Sequence, residues 1–242
     1  MKPESNALPQ LIMWHLLPGL AGTAAYVVLA PISITFGYPG VLALLLSALL
    51  VIMPIEVGML IRRARQGSRS LSFDGAVRFR EHLPKWQLVA LSLALVIWGL
   101  LASGLTAPLD LFLLDRWFAW LPDWFALFDA RQLAPFSRSA LLVTFWVGLA
   151  VNGVILPVVE EFYFRGYLLP HMNRLGRWAP LVNTSLFSLY HFWSPWQLFS
   201  RIIWLFPWVY ATWAKRNLYP TMIAHCTANT LGWLLFWASI LT

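Results

Sequence analysis

Apolar runs recur along almost the whole chain, at residues 11–36, 41–61, 86–106, 139–169, 178–193, 201–214 and 219–240. Lipid offers no hydrogen bonds to an exposed backbone, so a segment that crosses a bilayer must be a helix or part of a closed barrel. A crossing helix needs about 20 apolar residues, and most of these runs approach or exceed that length without the alternating pattern of barrel strands. The expected fold is therefore all-α: a polytopic membrane helix bundle of about seven transmembrane helices, within a range of six to eight. Apolar residues make up 60% of the chain and charged ones 11%, with 15 Trp, a balance that excludes an ordinary soluble domain. The first run exceeds the apolar core of a cleavable signal and has only Lys2 ahead of Glu4, so it is expected to be retained as a span.

The formal net charge of +7 would suit nucleic acid, but the basic residues lie in short loops between apolar runs, where they set membrane orientation instead. No nucleic-acid partner is expected. Arg62, Arg63, Arg65, Arg69, Arg78, Arg80 and Lys85 crowd residues 62–85, which places that loop in the cytoplasm. Residues 108–138 carry Asp110, Asp115, Asp123 and Asp129 and are expected outside, with Trp117, Trp120 and Trp124 on an interfacial amphipathic helix. Of the 17 Lys and Arg residues, this topology leaves only Arg116, Arg131, Arg138 and Arg201 external. It puts the N-terminus in the cytoplasm and the C-terminus outside, and the short loops suggest a bacterial inner membrane.

Residues 1–140 would then supply N-terminal spans, the basic loop and the external segment, and residues 141–242 the chemistry, within one integrated domain. Pro18 and Pro31 are expected to break the first run, and Gly37-Tyr38-Pro39-Gly40 to turn the chain into the second. Glu56, near Arg62 and Arg63, reads as a structural ion pair or a snorkelling side chain. Cys226 is the single cysteine, so no internal disulfide forms, and it reads as a packing residue.

Three polar clusters lie inside the apolar runs: Glu160-Glu161-x-x-x-Arg165, Phe187-x-x-x-His191 and His225-x-x-x-Asn229. Ionisable groups at bilayer depth are costly and usually face a bundle interior or a wet cavity. On a helix Glu161 and Arg165 stack four apart, in the order that favours the pair. Glu160 is turned by about 100° from its neighbour, so the two carboxylates have different tasks. His225 and Asn229 share a helical face, and a rise of about 1.5 Å per residue puts Glu160, His191, His225 and Asn229 roughly 10 to 20 Å from the cytoplasmic side.

A carboxylate beside a histidine can activate water. Glu160, His191 and His225 could instead offer three ligands to zinc, although no His-Glu-x-x-His is present. No Gly-x-Ser-x-Gly occurs, and Ser185 and Ser188 read as packing residues. His15, His82 and His171 read as solvated or structural. Two non-enzymatic alternatives remain: an immunity or scaffold protein held together by these polar residues, and a proton-coupled transporter, which the lack of inverted repeats disfavours.

At these residues the chain resembles the type II CAAX prenyl endopeptidase family, also described as CPBP intramembrane proteases of glutamic type. Its motifs are Glu-Glu-x-x-x-Arg, Phe-x-x-x-His and His-x-x-x-Asn, and all three occur here in order, with the first extended to Phe164-Arg165-Gly166. The resemblance covers about residues 150–235; the earlier part shares only the character of membrane spans. It implies an endopeptidase acting near the C-terminus of a membrane-associated or lipidated protein or peptide. Glu160 and His191 would activate the attacking water, and His225 and Asn229 would stabilise the oxyanion. Glu161 and Arg165 would support the site. No cofactor is expected, with zinc as the alternative, and the implied partners are the lipid bilayer and a substrate's C-terminal segment.

Overall fold

The computed structural model describes residues 8–67, 76–127 and 129–241. The expectations for Lys2, Glu4 and Arg69 concern positions outside them. The chain is 85% helical, and no strand occurs among the described residues. Four helical runs are long and apolar enough to cross a membrane: Leu8–Thr35, Gly40–Gln66, Lys85–Arg116 and Arg138–Tyr190. Their outer faces expose Leu101, Leu105 and Leu111, Leu105 to 81%, a surface that only lipid would cover at low cost. The fold is a polytopic helical bundle, and the chain is an integral membrane protein.

In chain order, α1 (Leu8–Thr35) turns at Gly37, whose φ of 78° is open to glycine, into α2 (Gly40–Ser47). A π-helical stretch, Ala48–Ile52, continues α2 into α3 (Met53–Gly67). Next come α4 (Lys85–Arg116) and α5 (Arg138–Ala150), then a π-helical stretch Val151–Ile155 and α6 (Leu156–Glu160). A second π-helical stretch, Glu161–Leu168, and a 3₁₀ stretch, Leu169–Trp178, lead to α7 (Ala179–Tyr190). Finally α8 (Leu198–Lys215) turns at Arg216 into α9 (Tyr219–Leu241). Helix α1 packs on α2 and α7, α4 on α8 and α9, α5 on α2 and α9, and α6 on α3 and α9.

Several expected boundaries move. Pro18 and Pro31 do not break α1. Proline removes the donor that would bond the carbonyl four residues back, and at Pro18 a distant segment supplies it. Trp14 O, orphaned by Pro18, accepts from Tyr163 Oη at 2.8 Å. The same device recurs twice. Pro157 leaves Gly153 O and Asn152 O short of a donor at the π-helical stretch, and α9 supplies Thr230 Oγ1 at 3.3 Å and Asn229 Nδ2 at 3.0 Å. Pro170 leaves Gly166 O free, and the backbone N–H of Arg78 donates to it at 2.8 Å. Each proline thus becomes a point where two distant segments are fastened.

The expected interfacial helix does not form. Pro122 and Pro135 interrupt the segment, which is built from turns and two short 3₁₀ pieces, Asp123–Phe125 and Ala130–Gln132. Trp117 and Trp120 are exposed, but Trp124 folds back, its carbonyl accepting from Tyr26 Oη at 2.8 Å. The span expected over residues 178–193 is also shorter: α7 has 12 residues, about 18 Å, and ends at Tyr190. The 53-residue run Arg138–Tyr190 is no single rod, since Gly176 (φ 51°) reverses the chain ahead of α7.

The described end of the basic loop is a strap. Leu218 N donates to Phe79 O at 2.9 Å, Glu81 N to Arg216 O at 3.0 Å and Arg78 N to Gly166 O. Asn217 Nδ2 donates to Glu81 O at 2.5 Å, and Arg216 pairs with the Glu81 carboxylate. A Cβ on Gly166 would run into the Val77 side chain, so glycine is what lets the strap lie against the helix that carries the glutamates.

Candidate active site

Glu160 ends α6 and Glu161 opens the π-helical stretch that follows. Such stretches are rare and cluster at functional sites. Glu161 and Arg165 are wholly buried, and Arg165 Nε lies 3.5 Å from Glu161 Oε2, as the i, i+4 spacing predicts. None of the three guanidinium nitrogens makes a hydrogen bond; the group instead lies 4.0 Å over the Phe187 ring. The guanidinium is held by charge and by the ring face, which suits its weak hydration.

Glu161 has a second partner that the spacing does not reveal. His225 Nδ1 lies 3.0 Å from Glu161 Oε1. The opposite ring nitrogen, Nε2, faces Glu160 Oε2 at 3.8 Å. His225 therefore stands between the two glutamates, and Nδ1–H donates to the inner one. Glu161 thus holds the His225 ring as well as pairing with Arg165.

Glu160 is 3% exposed, and its Oε1 accepts from Tyr190 Oη at 3.2 Å. His191 caps α7 with a backbone outside the helical region (φ −81°, ψ 57°), so it projects from the helix end and not from its side. Its Nδ1 donates to Phe187 O at 2.8 Å, which leaves Nε2 with a free lone pair. Phe187 is the hub of the site: Tyr190 stacks on it, and His191 and His225 both meet it edge-on, at centroid distances of 4.8 and 6.4 Å. His191 and His225 thus meet one ring from two segments, and Glu160 reaches the group through Tyr190 and His225.

One of the Asn229 amide hydrogens is committed to Asn152 O beside Pro157, leaving the other for a ligand. Among the described residues no group of three His, Cys, Asp or Glu side chains is arranged to hold a metal ion. Ser188 donates to Thr184 O at 2.8 Å, a packing contact as expected, and His82 is exposed. His15 is fully buried between Leu11 O and the Asn183 amide, a structural tie with no solvent contact. His171 is partly buried on Tyr167 O.

Two residues at the site escape sequence reading. Glu56, expected to pair with Arg62 or Arg63, is fully buried on the far side of Tyr190, 3.1 Å from its Oη. The spacing could have warned of this: pairs meet at i+3 or i+4, and Arg62 and Arg63 are six and seven residues on. Arg201, expected outside, is 5% exposed. It donates to Ser194 Oγ at 2.8 Å, Gln197 Oε1 at 2.7 Å and Ser188 O at 3.4 Å. The contact with Ser188 O sets a cation on one C-terminal carbonyl of α7, which stabilises the helix end from which His191 projects.

Residues 142–231 match the model of the Type II CAAX prenyl endopeptidase Rce1-like family, a peptidase family, and the match contains all three motifs. The resemblance read from the sequence is thereby borne out over that stretch. Neither a curated protein nor a solved structure matches the chain.

Proposed function

With the family match over residues 142–231 as premise, we propose that the chain is an intramembrane endopeptidase that hydrolyses a peptide bond near the C-terminus of a membrane-associated or lipidated substrate. The observation that carries this reading is the buried carboxylate of Glu160, facing His225 and bonded to Tyr190. A carboxylate kept at that depth has a use other than packing. In the proposed mechanism, Glu160 takes a proton from water, and His191, its Nδ1–H held by Phe187 O, offers Nε2 to the same water. The hydroxide attacks the scissile carbonyl. The remaining amide hydrogen of Asn229 donates to the oxyanion, joined by Nε2–H of His225 when both ring nitrogens carry hydrogen, and the proton on Glu160 passes to the departing amine. Glu161 fixes the His225 ring, and Arg165 balances the charge of Glu161. No cofactor enters this scheme.

In the proposed topology, which the basic residues of the loop support, the strap end and the N-terminus face the cytoplasm, the C-terminus lies outside, and the membrane is a bacterial inner membrane. The test uses the purified chain in vesicles with a farnesylated peptide ending in a CAAX sequence. The wild type should release the three-residue tail, and E160Q, equally folded, should release none. Cleavage by E160Q at the wild-type rate would refute the mechanism.

A further inference from the structure

The geometry points to Glu56 as a positioning residue of this site: with Tyr190 and Glu160 it forms one hydrogen-sharing unit that holds the Glu160 carboxyl in place. The inference rests on the proposed role of Glu160. Tyr190 Oη lies 3.1 Å from Glu56 Oε1 and 3.2 Å from Glu160 Oε1. A phenol has one hydrogen and donates it once. Both contacts are hydrogen bonds only if a second hydrogen sits on one of the two carboxyls and is donated to the phenol oxygen. The three groups therefore share two hydrogens, and the direction of one bond sets the direction of the other.

Nothing else accounts for Glu56. Its side chain is fully buried, and its Oε2 has no hydrogen-bond partner. A carboxyl in that position costs stability, and the same helix could carry leucine there. The approach of Tyr190 is itself built in. Gly19 of α1 faces the Tyr190 carbonyl, where any Cβ would overlap the oxygen, and the Tyr190 ring stacks on Phe187 at an interplanar angle of 14°. Tyr190 is thus clamped on two sides, with its hydroxyl aimed between α3 and α6. It adjoins His191, so the unit joins Glu160 to the helix end that presents the histidine.

The experiment compares E56L, E56Q, Y190F and E56L/Y190F, each as full chain in vesicles with the farnesylated CAAX peptide. Leucine can neither donate nor accept, whereas glutamine can still hydrogen-bond Tyr190. E56L and Y190F should each lower kcat about 10- to 100-fold with KM nearly unchanged. E56Q should recover most of the loss, and the double variant should be no slower than the slower single one. Wild-type kcat in E56L, or losses that multiply in the double variant, would overturn the inference. Infrared spectra provide a readout that needs no substrate. A buried carboxylic-acid band should shift in Y190F and vanish in E56L. If no acid band responds to Y190F, the unit does not exist. A wild type as inactive as E160Q would instead count against the endopeptidase reading, and the infrared result would still decide the unit.

Discussion

His225 Nδ1 lies 3.0 Å from Glu161 Oε1. The second glutamate of the pair therefore orients a histidine, and through it reaches the first glutamate, 3.8 Å from the opposite ring nitrogen. A carboxylate that fixes the tautomer and plane of an imidazole is a recurrent supporting device at metal and hydrolytic sites.

E161Q keeps the shape of the side chain but presents either its carbonyl or its amide to His225. It should lower kcat by about 10- to 100-fold, by analogy with the loss of such outer partners elsewhere. Peptide release per folded molecule in vesicles measures it.

Arg165 answers to stability first. R165L would leave the Glu161 charge buried and should destabilise the protein by about 3 to 5 kcal/mol. R165K should restore little, because an ammonium does not reproduce a planar guanidinium 4.0 Å over Phe187. Pairing R165L with E161Q should recover part of the loss. Thermal unfolding in detergent gives all three numbers.

The proline fastenings make a reciprocal prediction. T230V removes the donor to Gly153 O and should cost about 1 to 3 kcal/mol. P157A restores a backbone N–H to the same carbonyl and should offset part of that cost in the double variant. Unfolding of the single and double variants checks it.

The strap responds to Gly166. G166V adds atoms where Val77 already lies and should cost about 1 to 3 kcal/mol of overpacking, loosening the strap. Tryptic cleavage after Arg78 should quicken, and V77A should slow it again.

Much of this was legible in the sequence because lipid restricts the choices. Helical runs follow from hydropathy alone, and Glu160, His191 and His225 could be placed at one depth by counting residues. What escaped was set by packing between distant segments. Glu56 and Tyr190 are 134 positions apart and meet through α3 and α7. Arg201 was assigned by the side of the membrane its run begins on, but a buried arginine can cap a helix end where the bundle supplies acceptors. Pro18 looked like a break because the donor that replaces its missing N–H, Tyr163 Oη, lies 149 positions away on another segment.

The central claim is that Glu160 carries peptide-bond hydrolysis, and it is tested most directly in cells. Wild-type protein and E160Q, at equal abundance, are compared by mapping the C-terminal ends of membrane proteins and released peptides. The account predicts new C-termini with wild type and an uncut precursor that accumulates with E160Q. Identical termini in both, with the two proteins equally abundant and folded, would contradict it.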